Sequence, residues 1–157
     1  MDKIDNLNHN ARYITFKLAD NLIGIDILDI REIVPGVKIT KVQQAPQVVQ
    51  GLMNLRGRIL TVLDIGVLLG LEKTRINKDN RVIVFKHKDV GFLVDQIGDV
   101  VAIDQQQIEP VPANIDIVIK RYLDHIIHLD DQIIMALNSQ KILAYTPNDH
   151  PGAKEYA

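Results

Sequence analysis

Leu55-Arg56-Gly57-Arg58-Ile59-Leu60-Thr61-Val62-Leu63-Asp64 can be laid over Leu129-Asp130-Asp131-Gln132-Ile133-Ile134-Met135-Ala136-Leu137-Asn138. Each stretch reads as a two-residue tip, an apolar strand and a short polar residue that ends it. Leu68-Leu69 then falls on Ile142-Leu143 without a gap. Self-similarity of this kind means one supersecondary unit used twice. Asp64 and Asn138 stand where an N-cap would accept backbone N–H bonds ahead of a short helix. Both strands are apolar on both faces, as in strands buried on two sides. The repeat therefore predicts that Ile59, Val62 and Leu63 fill one core and Ile133, Met135 and Leu137 an equivalent one.

Upstream, the two halves fall into register. Ile14, Phe16 and Leu18 alternate with Tyr13, Thr15 and Lys17, Ala19-Asp20-Asn21 signals a turn, and Ile23, Ile25 and Ile27 resume the alternation. Arg81–Lys86 and Val90–Asp95, around His87-Lys88-Asp89, form the second such hairpin. A short strand and a proline follow each, Pro46 in one half and Pro110 with Pro112 in the other. Each half reads hairpin, strand, proline loop, hairpin, short helix. Five short strands suit a small closed barrel, which leaves no exposed edge. The expectation is a mainly all-β chain of two packed five-stranded barrels joined by short helices. The alternative is one larger β-sandwich. The halves span about 12–72 and 80–145, with exchange of strands between them allowed, and 1–11 and 146–157 read as polar tails. Each half is thin-cored alone, so the barrels should share apolar surface.

Composition agrees. The 157 residues include 23 Ile, 16 Leu and 15 Val but only 4% aromatics and no Trp. That bias favours strands and argues against stacking single-stranded nucleic acid. A net charge of −2 leaves no electrostatic footprint for nucleic acid or an acidic membrane. With no Cys, thiolate metal sites and Cys nucleophiles are excluded. No signal-like stretch opens the sequence, and Ile59–Leu71, broken by Asp64, is too short to span a bilayer, so the expected location is the cytoplasm.

Catalysis finds no support. His125 and His128 are three apart, but strand alternation puts them on opposite faces, which gives surface or half-buried histidines rather than a metal pair. Asp26 with Asp29, Asp95 with Asp99, and Asp130 with Asp131 suit turns and strand rims. No phosphate loop, nucleophile elbow or zinc-protease motif occurs. No cofactor or metal is expected. What stands out is the tip Arg56-Gly57, which the other half replaces with Asp130-Asp131. An arginine beside glycine is poorly placed for a core; by its position alone it is either a solvated turn cation or a donor to a partner's carboxylate or carbonyls, as Glu32 is otherwise a rim charge. Glu32, one of four Glu, is set among the apolar residues Ile30, Ile33 and Val34.

Together these residues resemble the CheW-like domain of bacterial chemotaxis coupling proteins. The parts are Phe16-x-Leu18, Gly24-Ile25-Asp26-Ile27, Ile30-x-Glu32-Ile33, and Pro46-x-x-Val49-x-Gly51-x-x-Asn54-Leu55-Arg56-Gly57. They continue through Val62-x-Asp64-Ile65, Leu69-Gly70-Leu71, Gly91-x-x-Val94-Asp95-x-Ile97, and Ile108-x-Pro110-x-Pro112. The resemblance covers about residues 12–145. It implies SH3-like barrels and a non-catalytic adaptor between chemoreceptor cytoplasmic tips and the regulatory domain of the chemotaxis histidine kinase. A monomer alone, it would join rings or arrays with those partners. By position, Ile30, Glu32, Ile33, Asn54, Arg56 and Gly57 resemble the family's receptor-facing groove; the residues that meet the kinase stay unassigned. Thr61 replaces a usual proline, Asp124 a small residue, and the C-terminal helix reads as shortened. An adaptor from a pilus or other chemosensory pathway, or the CheW-like half of a receiver-containing adaptor, would share the pattern.

Overall fold

A computed structural model describes residues 11–36 and 38–144; most of both expected tails lies outside them. The alternating segment before Ala19 forms β1 (Ala11–Leu18), which turns into β2 (Asn21–Asp26). β3 (Ile30–Pro35), β4 (Val49–Leu55), β5 (Arg58–Asp64) and α1 (Ile65–Leu68) follow. The second hairpin is β6 (Arg81–Phe85) and β7 (Val90–Val94). β8 (Ile97–Ile103), β9 (Ile108–Glu109), α2 (Ile117–Lys120), β10 (Leu123–Leu129), β11 (Gln132–Leu137) and α3 (Ser139–Leu143) complete the described chain.

The sheets run β3-β6-β7-β5-β4 and β8-β1-β2-β11-β10-β9. Each leading hairpin thus sits in the sheet of the other half. The parallel pairings β5–β7 and β2–β11 join the exchanged parts. Gly91 lies opposite Val62 and Gly24 opposite Ala136, which are matched positions of the repeat. A Cβ on Gly24 would stand 2.9 Å from Ile134, and one on Gly91 2.5 Å from Val82, so both hairpins use glycine for the same close approach. Five strands per barrel holds for the first sheet. The second has a sixth, the two-residue β9, whose counterpart is a single bridge between Thr40 and Leu52.

Among the described residues, nineteen buried apolar side chains form one cluster shared by both barrels, against six and five in the separate interiors. Phe16 from β1 and Phe85 from β6, matched in register, both enter it. Leu60 and Val62 point into the first barrel, Ile134 and Ala136 into the second. Leu63 and Leu137 lie in the shared cluster. The expectation for the other residues needs correction. Ile59 and Ile133 are 54% and 52% exposed, and Met135 only packs against the cluster from a half-buried position. The outward face of each strand is covered where the barrels meet and is bare towards the tip.

Asp64 and Asn138 cap their helices as expected, accepting from Val67 N (3.2 Å) and Lys141 N (3.0 Å). Asp64 is fully buried. It also accepts from Gln50 Nε2 (2.7 Å), Thr74 N (2.8 Å) and Thr74 Oγ1 (3.1 Å). In the other half Asn138 Nδ2 donates to Asp124 Oδ1 at 2.7 Å. Gln50 and Asp124 are matched positions, so amide and carboxylate have changed places between the halves.

His128 is exposed as expected, but His125 is fully buried. Its ring meets Tyr13 edge-on at 5.9 Å, with Tyr13 Oη 3.3 Å from Nε2. Burial pushes the Tyr13 hydroxyl above its ordinary pKa, helped by Asp26, Asp124 and Asp29. From His125 to Leu129 the register against β11 is unbroken, so the two histidines take opposite faces as expected, His125 on the inward one. Among the described residues no helix is long and apolar enough to cross a membrane.

Candidate functional site

The hairpin of β4 and β5 closes at Leu55 and Arg58, with Arg56 at φ 50° and Gly57 at φ 85°. Two successive positive φ values make the type I′ turn that suits the strand twist. Gly57 supplies one at no cost, while Arg56 pays about 1–2 kcal/mol for a left-handed backbone. Asn54 Oδ1 accepts from Gly57 N at 2.9 Å, so the Asn-Leu-Arg-Gly string encodes its own turn.

Arg56 then reaches across the barrel mouth. Its Nη1 and Nη2 donate to Glu32 Oε1 and Oε2, both at 2.8 Å. Glu32 belongs to β3 at one end of the sheet order, and the turn joins the two strands at the other end. The bidentate pair is therefore a clasp between the sheet's first and last strands. Arg58 Nη2 meets Asp89 Oδ1 at 2.6 Å, and Arg31 Nη2 donates to Lys86 O at 2.6 Å, so flanking arginines tie the same end to the β6–β7 tip. Thr61 N donates to Asp89 O at 3.0 Å, a bond that a proline there could not make.

The structure thus brings together Glu32, Asn54, Arg56 and Gly57. Ile30 and Ile33 flank Glu32 in sequence but are half-buried against the shared core. Arg56 keeps 70% of its side chain exposed and Glu32 24%. Exposed pairs add little to folding. Their geometry is what matters, because the fork fixes five donors of which two are used. Glu32 and Arg56 each stand out in the sequence, but only the sheet order brings them together.

The Arg56 hydrogen bonds, with its charge and that of Arg31, hold Glu32 below the usual carboxylate range. A lowered folded-state value means that the pair is intact throughout the ordinary carboxylate range and above. It is lost only as pH falls through the lowered value. NMR titration of the Glu32 carboxyl should show this low midpoint, and Arg56→Ala should return it towards the ordinary value. An unchanged midpoint in the variant would break the account.

Among the described residues no group of three or more His, Cys, Asp or Glu is placed to hold a metal. His128 Nε2 meets Glu109 Oε2 at 2.9 Å on the outside of the second barrel.

The CheW-like domain family model matches residues 12–146. The Chemotaxis protein CheW of Helicobacter pylori is 36% identical over 103 residues, 64% of this chain and 62% of that protein. The chain therefore spans less than two thirds of that relative's length. The Chemotaxis protein CheW of Klebsiella aerogenes is 28% identical over 134 residues, 84% of this chain and 81% of that protein. The crystal structure of scaffolding protein TtCheW from Thermoanaerobacter tengcongensis matches with a TM-score of 0.74 at 33% identity, covering 82% of this chain and 89% of that one.

Proposed function

Because the chain belongs to the CheW-like domain family, we propose that it is a chemotaxis scaffold protein, a non-catalytic coupler acting in the cytoplasm between chemoreceptor tips and the chemotaxis histidine kinase. The observation that carries this reading is the clasped tip. A bidentate arginine on a left-handed backbone, locked yet largely exposed, contributes little to folding and presents directional donors outward. Glu32, Asn54, Arg56 and Gly57 form the receptor-facing part, with Ile30 and Ile33 setting the position of β3 beneath it.

The test measures melting temperature and affinity for a receptor cytoplasmic fragment and for the kinase's regulatory domain. Arg56→Ala should stay folded and lose about 2 kcal/mol or more of receptor binding, some thirtyfold, with kinase binding little changed. Arg56→Lys should rescue only in part, because lysine loses the planar fork. Arg58→Ala should matter less. Unchanged receptor affinity in folded Arg56→Ala, or a variant that unfolds, would overturn the assignment of Arg56 as a contact residue.

A further inference from the structure

The repeat sets an ionisable pair inside one barrel where the other has none. In the second barrel one row of residues crosses β1, β2, β11 and β10. The Tyr13 ring stands 3.4 Å from where a Cβ on Gly24 would lie, Gly24 pairs with Ala136, and Ala136 pairs with His125. The two small residues let the outer two meet, with Tyr13 Oη 3.3 Å from His125 Nε2. The repeat matches this row to Val82, Gly91, Val62 and Gly51, none of them ionisable. A Cβ on Gly51 would collide with Thr40 O, so backbone occupies there the place that an imidazole takes in the other half.

His125 is 0% exposed and Tyr13 2%. Protonating the imidazole would set a cation beside the interior cluster of Tyr13, Ile127 and Ile134, at far greater cost than the neutral ring. The charged groups around the pair are Asp26, opposite Tyr13 on β2, Asp29 just beyond it, and Asp124 ahead of His125 on β10. These carboxylates favour a cation. Burial nevertheless acts on Tyr13 more strongly than any of the three, and His125 is the more enclosed of the two. The closed barrel therefore holds the ring neutral. β11 brings no charged residue to the row, and on the outer face of β10 His128 meets Glu109 of β9 at 2.9 Å.

β10 is placed to give way. It is next to last in its sheet, and the last strand, β9, is only Ile108–Glu109. Its register against β11 shifts between Leu123 and His125. Such edges open locally at a fraction of the cost of unfolding. We infer that His125 makes the β9–β10 edge of the second barrel a proton-sensitive latch, closed on Tyr13 while the ring is neutral and released from β11 when the ring takes up a proton. The open form binds a proton that the closed form refuses. The latch therefore holds above the ordinary histidine value, about 6.5, and weakens as pH falls below it. β9 moves with β10, since protonating His128 strengthens its pair with Glu109. The clasp of the first barrel stays shut over the same range, because Glu32 remains ionised to below the usual carboxylate range. The latch needs neither receptor nor kinase, so failure of the adaptor reading leaves it untouched.

The experiment follows the full chain by NMR from about pH 7.5 to about 5.5, above the range in which ordinary carboxylates titrate. Ring nitrogen shifts should show His87 and His128 gaining protons while His125 stays neutral. Amide protection factors in β10 should fall by up to about tenfold per pH unit below about 6.5, while those of Leu60 and Val62 in the first barrel hold. His125→Gln, which keeps an acceptor near Tyr13 Oη, should remove this pH dependence, and His128→Gln should leave it. If His125→Gln does not fold, the ring titration of the parent still decides. An His125 ring that titrates near the ordinary value in the closed barrel, or is already charged at neutral pH, would overturn the latch. So would β10 protection indifferent to pH, a dependence equal in both barrels, one kept by folded His125→Gln, or one lost in His128→Gln.

Discussion

Replacing Asp64 with alanine should lower stability by about 3–5 kcal/mol, because it strands several buried donors at once. The fully buried carboxylate receives Gln50 Nε2, Val67 N, Thr74 N and Thr74 Oγ1. Each unsatisfied donor costs about 1–3 kcal/mol, partly relieved by local opening. Opening has a visible route. The segment that follows α1 is pinned through Thr74, so its amides should lose hydrogen-exchange protection first. Asn138→Ala is the comparison within the molecule. Asn138 caps α3 and donates to Asp124 in a less enclosed setting, and its loss should cost nearer the usual cap value of about 1 kcal/mol. A double-mutant cycle of Gln50→Ala with Asp64→Ala should show strong coupling. Additive losses, or an Asp64→Ala cost below about 1 kcal/mol, would contradict the network.

Leu63→Ala and Leu137→Ala should each destabilise by about 2–5 kcal/mol, the range for truncating a buried leucine. Both occupy the shared cluster rather than a barrel interior. That position sets the form of the result as well as its size. Melting should remain a single transition lowered by about 2–4 °C per kcal/mol, because more of the buried apolar side chains lie in the shared seam than in either barrel's interior. Calorimetry decides between this and two separable units. A second transition that appears only in the variants would mean that the barrels hold themselves together. Ile59→Ala and Ile133→Ala, exposed at the far ends of the same strands, should fall within about 0.5 kcal/mol of the parent.

The sequence disclosed most where chemistry repeats at a fixed offset. The turn at Arg56-Gly57, its counterpart at Asp130-Asp131, and the caps Asp64 and Asn138 all follow from laying one strand over another. The fold class follows from the same alignment, since two copies of a five-strand pattern have few ways to close. Exposure was harder. Ile59 and Ile133 look like core residues because their neighbours are apolar, and only the seam between barrels decides how far along the strand burial extends. Alternation rightly separates His125 from His128, but only the barrel's curvature decides that the His125 face is the closed one. Glu32 and Arg56 were each conspicuous, but pairing them needs the order β3-β6-β7-β5-β4, which places strands distant in the sheet face to face at its mouth.

The exchange of hairpins imposes a timetable on synthesis. β1 and β2 leave the ribosome first, yet β2 pairs with β11 through Leu22–Ile134, Ile23–Met135 and Gly24–Ala136, and β1 with β8. Over most of translation the first hairpin has an apolar face and no sheet to join. The first sheet can assemble once β7 has emerged, because all its strands precede Ile97. A nascent chain halted there should hold the first sheet paired but lacking most of its shared core, with an orphan hairpin ahead of it, a species prone to capture by chaperones or by a neighbouring nascent chain's hairpin. Closure then waits on contacts more than a hundred residues apart, the kind that slow folding. Two chains translated close together could trade first hairpins and finish as an interlocked pair whose barrels are each intact.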